Sequence, residues 1–210
     1  MTVAPTCPRC PGDLRAPGLM SSSWTCERHG AVHPLHVIPR PSNEALRKVG
    51  GGLGVPLWSP LPLLLGWTVT GLATAGDDRG PAKATVLALS GPSPHGGPAD
   101  LLLVAEEPGV GLGARYAGIP SLDPGACTAG PPDAKVEAAG HPTALWSCAS
   151  ADDRAAFVGE AKGVWLYAVL WPPAAELVLL EHVVLHDLRD AVHAAIDLPF
   201  GAPSPRLAAA

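Results

Sequence analysis

The residues with the most specific chemistry lie at the start of the chain. Cys7-Pro8-Arg9-Cys10 is followed, after fifteen intervening residues, by Cys26-Glu27-Arg28-His29. Two ligands three apart on a tight turn point to one side of a metal ion, and two such turns joined by a hairpin complete a tetrahedron. Pro11-Gly12 and Gly30 follow the two pairs, where the chain must turn away from the ion, and Trp24 supplies apolar cover. The pattern predicts a zinc ribbon holding one structural Zn²⁺ per chain through Cys7, Cys10, Cys26 and His29. Four protein ligands leave no open position for a reacting water. His33 and His36 remain alternatives to His29 as the fourth ligand, with a longer loop.

A second segment, Glu107-Pro108-Gly109-Val110-Gly111-Leu112-Gly113-Ala114-Arg115-Tyr116, follows an apolar run. Gly111 and Gly113 would let backbone N–H groups approach a phosphate or carboxylate, and Arg115 would add a planar, bidentate cation. The segment lacks the complete dinucleotide fingerprint and the phosphate-loop lysine, so a structural loop competes with a ligand site. His182 and His186, beside Glu181, Asp187 and Asp190, share one face of a helix or a strand. Solvated charge explains them as well as a second metal does. Asp77-Asp78 and Asp152-Asp153 read as turn and capping residues, and Cys148 reads as a buried, inert thiol. Trp58, Trp67, Trp146, Trp165 and Trp171 read first as core, with an aromatic pocket or interface as the alternative.

Elements that could position these residues follow from the apolar pattern. Ser42 is placed to cap a short helix from Asn43 to Val49, which Gly50-Gly51-Gly52 ends as a hinge. Gly66 to Ala75, Lys83 to Ser90 and Asp100 to Glu107 are strand-like runs joined by Gly, Pro and Asp turns, which suggests an antiparallel meander. Gly109 to Gly140 reads as a long excursion with one helical turn around Ala114 to Ala117. Thr143 to Cys148 and Val164 to Trp171 are again strand-like, and Asp152 is placed to cap a helix running through Lys162. Leu177 to Ala195 fits either a helix or a buried strand at its start. The expected fold class is therefore α+β. A ribbon at residues 1–40 and a helix and glycine linker at 41–52 precede a mainly antiparallel sheet domain with one or two helices at 53–206.

Composition bounds the function classes. With 47% hydrophobic and 16% charged residues in a chain of 210, one ordinary domain plus a small appendage is affordable. Residues 1–48 carry six Lys/Arg against three Asp/Glu, and the remainder carries eight against sixteen. So acidic a body does not neutralise phosphate backbones, and nucleic acid could be met only through the ribbon, by Arg9, Arg15 and Arg28. No charge falls between Lys48 and Asp77, but the Pro and Gly content of that stretch excludes a membrane span. Five cysteines, three in metal-ligand spacing, with no secretory leader at the start, place the protein in the reducing cytoplasm.

Several stretches taken together resemble an uncharacterised actinobacterial family with an N-terminal zinc ribbon. They are Ser23-Trp24-Thr25-Cys26 through Gly30-Ala31-Val32-His33-Pro34-Leu35, Ala75-Gly76-Asp77-Asp78-Arg79, Gly109 to Gly118, Pro142-Thr143-Ala144-Leu145-Trp146, Gly163 to Pro172, and Asp187-Leu188-Arg189-Asp190. The resemblance covers nearly the whole chain and implies a soluble protein with a ribbon and no inherited catalytic residues. Pro60-Leu61-Pro62 with Gly66-Trp67 and the strands after them also resembles the PsbP-like α/β sandwich. The resulting expectation is a binding or regulatory module with a protein partner. An enzyme, a transferase or hydrolase acting on a small phosphorylated or acidic ligand at Gly111, Gly113 and Arg115, is the alternative. A ribbon contacting nucleic acid or polymerase is the third reading.

Overall fold

The computed structural model describes residues 4–19, 21–38, 40–148, 151–180, 182–191 and 197–207. In chain order the elements begin with β1 (Thr25–Cys26), β2 (Gly30–Ala31), β3 (Leu35–Ile38), α1 (Asn43–Gly50) and β4 (Trp58–Pro60). The meander β5 (Thr68–Ala75), β6 (Ala84–Pro92) and β7 (Pro98–Glu106) follows, then α2 (Leu112–Ala117) and β8 (Ala134–Ala138). The chain continues through β9 (His141–Cys148), β10 (Ala155–Ala161), β11 (Val164–Trp171), β12 (Val184–Asp187) and α3 (Leu188–Ala191).

Ten of these strands form one sheet in the order β3-β5-β6-β7-β11-β10-β9-β8-β12-β4. Neighbours are antiparallel, except that β12 runs parallel to β8. The sheet changes direction at β9, where Trp146 to Cys148 pair with β10 and His141 to Leu145 pair with β8. Beyond β9 it folds back, so that β4 lies against β6 and β7.

The central strands are therefore buried on both faces, which is why β6 and β7 read as almost continuous apolar runs. Along β7, Leu101, Leu103 and Ala105 join a cluster with Leu57, Trp58, Val136 and Leu185 on the folded-back part. Leu102 and Val104 face the other way, into a cluster with Tyr167, Val169, Leu35 and the α2 residues Leu112 and Tyr116. Each buried Leu or Val contributes about 1.5–3 kcal/mol over exposure, so both layers stabilise the sheet. At the back corner Asp187, whose side chain is 0% exposed, takes Lys162 and Arg189 as ion partners and the Leu57 N–H at 3.2 Å.

The three meander strands and β9 and β11 fall on the runs that predict them, and Ser42 caps α1 by accepting the Ala45 N–H at 3.1 Å. The helix expected from Asp152 to Lys162 is instead strand β10. Phe157 and Val158 pair on both sides, with β9 and β11, and this tertiary demand overrides the helix propensity of the alanines. Lys162 (φ 54°) and Gly163 (φ 77°) make the two-residue turn between β10 and β11. Leu177 to Ala195 is neither one helix nor one strand: a 3₁₀ segment at Pro173–Leu180 is followed by β12 and α3, while Glu181 and residues 192–196 lie outside the described residues. The excursion from Gly109 to Gly140 also holds β8. Trp58, Trp67 and Trp171 are core, whereas Trp146 and Trp165 are only partly buried. No helix among the described residues is long and apolar enough to cross a membrane.

Candidate metal centre

The N-terminal segment expected to form the ribbon is held by short antiparallel contacts. Thr6 bridges Asp13, Arg15 bridges Thr25, and β1 pairs with β2. They bring the turn at Cys7 to Cys10 against the turn at Cys26 to His29. The Cys7 N–H bonds to the Gly12 carbonyl at 3.0 Å, and Gly30 (φ 67°) takes the left-handed conformation that carries the chain out of the second turn.

One ligand atom from each of Cys7, Cys10, Cys26 and His29 lies within 4.8 Å of the other three. Cys10 Sγ is 3.8 Å from Cys26 Sγ, and His29 Nδ1 is 3.4 Å from Cys7 Sγ and 3.6 Å from Cys26 Sγ. A tetrahedron with Zn–S of about 2.3 Å and Zn–N of about 2.0–2.1 Å has edges of about 3.8 Å and 3.6 Å, so the cluster has the dimensions of a metal cage. The fourth donor atom of the cluster is His29 Nδ1. His33 instead lies beside Asp77 and Arg79, and His36 is in β3.

Backbone amides shape the cage. Burial pushes the metal-free Cys7 thiol up, although the Arg9 and Cys10 N–H groups oppose it. Burial acts on Cys26 in the same sense, but the Arg28 and His29 N–H groups, with hydrogen bonds from the His29 and Cys7 side chains, outweigh it and bring that thiol down to about 6. Amides aimed at sulfur stabilise thiolate, the form that binds metal.

The cage is docked on the glycine segment. Arg9, between the first two ligands, donates from Nε to the Val110 carbonyl at 3.0 Å and from Nη2 to the Gly109 carbonyl at 2.6 Å. Arg115 returns the contact, donating from Nη1 to the Cys7 carbonyl at 3.0 Å. Burial lowers the Arg115 guanidinium from its ordinary value, while Tyr116 and the charges of Cys10 and Cys7 hold it up. Beneath, Asp123 Oδ1 accepts the Gly109 N–H at 2.9 Å and the Trp165 indole N–H at 3.1 Å.

Residues 1–207 match a family of unknown function, DUF6758. The chain belongs to that family. No curated protein and no solved structure matches it, so the PsbP-like likeness finds no support.

In this DUF6758 chain the structure brings Gly111, Gly113 and Arg115 together at α2 in positions with defined contacts. Gly111 (φ 80°) opens the helix, and a Cβ there would stand 2.9 Å from Leu122 and 3.3 Å from Arg9. Gly113 packs directly on the Tyr167 ring, where no side chain fits. The Leu112 N–H is taken by Glu106 Oε2 at 2.7 Å, so the acceptor at this turn is the chain's own carboxyl group. Sequence reasoning passes over Glu106, whose signal is a charge in phase with the buried residues Leu102 and Val104. It also gives Arg9 a surface role, and nothing local shows that a knuckle arginine will reach residues a hundred positions away.

His182 and His186 do not meet a third ligand: among the described residues the ribbon cluster is the group that could hold a metal. Asp77 is the turn residue expected of it, accepting the Arg79 N–H at 3.1 Å, and Asp153 pairs with Arg154.

Proposed function

We propose that this protein is a cytoplasmic zinc-ribbon module that binds a protein partner, with one structural Zn²⁺ held by Cys7, Cys10, Cys26 and His29. The observation that supports the metal is the set of ligand edges, 3.4 to 3.8 Å, built on two amide-lined turns. Three sulfurs and one imidazole nitrogen in a tetrahedral set suit Zn²⁺, and four protein ligands make it structural. When bound, the ion crosslinks the two turns and so supplies the rigidity that so small a hairpin lacks.

A protein partner is supported by the outer face of the ribbon. A half-open groove of about 750 Å³ there opens beside Cys10 and Cys26 and is otherwise lined by Asp13, Leu14, Arg15, Thr25, Glu27 and Arg28. Its two acidic and two basic side chains balance, which suits a mixed polar surface better than a phosphate backbone. Arg9 is committed to Gly109 and Val110, leaving Arg15 and Arg28 for nucleic acid. An anion at Gly111, Gly113 and Arg115 would compete with Glu106 for the α2 amides and with Cys7 for the guanidinium; the ribbon reading needs no such competition.

Elemental analysis of protein purified without chelators tests the reading. About one zinc per chain is expected, falling to near zero in Cys26→Ala. A wild-type stoichiometry near zero, or one unchanged by that substitution, would overturn it.

A further inference from the structure

We propose that Cys127 and Cys148 are a redox-active thiol pair, oxidised by a peroxide to a disulfide that clips the segment after α2 onto the end of β9. Three of the five cysteines belong to the Cys/His cluster, and the side chains of the other two, far from it in sequence, are brought into contact by the fold.

The juxtaposition is built by a stretch of chain running antiparallel to β9. The Asp133 N–H donates to the Leu145 carbonyl at 2.9 Å, and the Trp146 indole N–H donates to the Gly130 carbonyl at 2.9 Å. Asp133 Oδ2 accepts the Ser147 N–H at 2.8 Å. The 3₁₀ turn Gly125–Thr128, which carries Cys127, packs against β9, whose last residue is Cys148. Cys127 packs on the apolar cluster that contains Cys148, and Tyr167 lies near both.

The two thiols differ in the way a peroxide-reactive pair requires. Cys127 is half-buried and meets solvent, whereas Cys148 is buried. Burial pushes Cys148 far above the usual thiol range, with Cys127 beside it adding to the rise. Cys127 is therefore the attacking sulfur and Cys148 the resolving one. The Cys127 thiolate attacks one oxygen of hydrogen peroxide, the O–O bond breaks, and the departing hydroxide takes a proton to become water. Cys127 is then a sulfenic acid. The Cys148 sulfur attacks it, the S–O bond breaks, and the hydroxyl leaves with the Cys148 proton as a second water. Two thiols are oxidised and one peroxide is reduced.

Peptide mapping of the full chain tests the pair. Zinc-loaded protein is exposed to a small excess of hydrogen peroxide, alkylated, and digested with trypsin without reduction. Cleavage after Arg115, Lys135 and Arg154 places Cys127 in Tyr116–Lys135 and Cys148 in Val136–Arg154. The expected product is these two peptides joined, two hydrogens lighter than their sum, with alkylation lost from both. In Cys148→Ser the reaction should stop at a Cys127 sulfenic acid, trapped by a 1,3-diketone. Recovery of both wild-type peptides as separate alkylated thiols would overturn the proposal. So would Cys127 oxidised to sulfinic acid beside an alkylated Cys148, or Cys127 joined to a ribbon cysteine. The wild-type digest decides the matter even if the variant fails to fold.

Discussion

The Arg115 guanidinium donates to the carbonyl of Cys7 at 3.0 Å, so a residue of α2 holds the backbone of the Cys/His cluster. Arg9 reaches the other way, from the ligand turn to Gly109 and Val110. The two arginines make the ribbon and the body a single docked unit whose contact is polar and charge-assisted. Arg115→Ala should destabilise the protein by roughly 2 kcal/mol, as for a lost hydrogen bond to a charged group, and speed amide exchange in residues 6–13 without changing zinc content. Thermal melting and hydrogen exchange check it. A phosphate-dependent rise in Tm that Arg115→Lys abolishes would instead assign an anion to this loop.

Glu106 should make stability fall with rising pH. Burial, with the charge of Asp123 adding to it, raises its carboxyl from 4.5 to about 7, although the Gly113 and Leu112 amides oppose the rise. Between those two values the folded chain binds more protons than the unfolded one. The contribution is fully present below pH 4.5 and is lost as pH rises through 7. The shift corresponds to roughly 3 kcal/mol. Glu106→Gln keeps an acceptor for the Leu112 N–H and should flatten this slope, so that its stability gain over wild type grows from pH 5 to pH 8. Denaturant unfolding across that range is the measurement. A constant difference between the two proteins would show that Glu106 is not the titrating group.

Asp187 should act in the opposite sense. Burial alone would raise its carboxyl, but Arg189 and Lys162 hold it below the usual range. Its contribution is therefore present above the unfolded carboxylate value and is lost as pH falls through the lower, folded value. Asp187→Asn keeps the bond to the Leu57 N–H, leaves Arg189 without its carboxylate and leaves Lys162 only Asp190. The partly exposed cations reduce the cost below that of a fully buried pair, to roughly 2 kcal/mol at neutral pH. Denaturant unfolding at pH 7 and in acid checks it, and the difference from wild type should shrink in acid.

Truncation should separate ribbon from sheet only if the cut falls before Leu35. Thr6 and Leu35 exchange backbone hydrogen bonds at 3.0 and 2.8 Å, and β3 then pairs with β5 along its length. A chain lacking residues 1–33 should still melt cooperatively at a lower Tm. Removing residues 1–50 also strips the edge of β5 and the buried Leu46 of α1, and should aggregate. Independent folding of residues 53–206 would be shown by a cooperative transition in the shorter chain, followed by differential scanning calorimetry.

Local chemistry makes the clustering of Cys7, Cys10, Cys26 and His29 and the meander legible in the amino-acid sequence alone. A ligand pair three apart on a turn is a short-range geometry, and His29 shares that spacing with its partner cysteine where His33 and His36 do not. Ser42 needs only the backbone three residues ahead, and β5, β6 and β7 declare themselves by length and by their turns. Strand β10 is illegible there because Ala155 to Ala161 has no strand preference strong enough to compete with helix; the hydrogen bonds from β9 and β11 decide it. The use of Arg9, Glu106, Gly113 and Arg115 is decided in the same way, by partners distant in sequence. The types of those residues state what each can do, as cation, buried acid or backbone without a side chain. Only the packing of the ribbon and α2 over β7 and β11 determines that they meet one another.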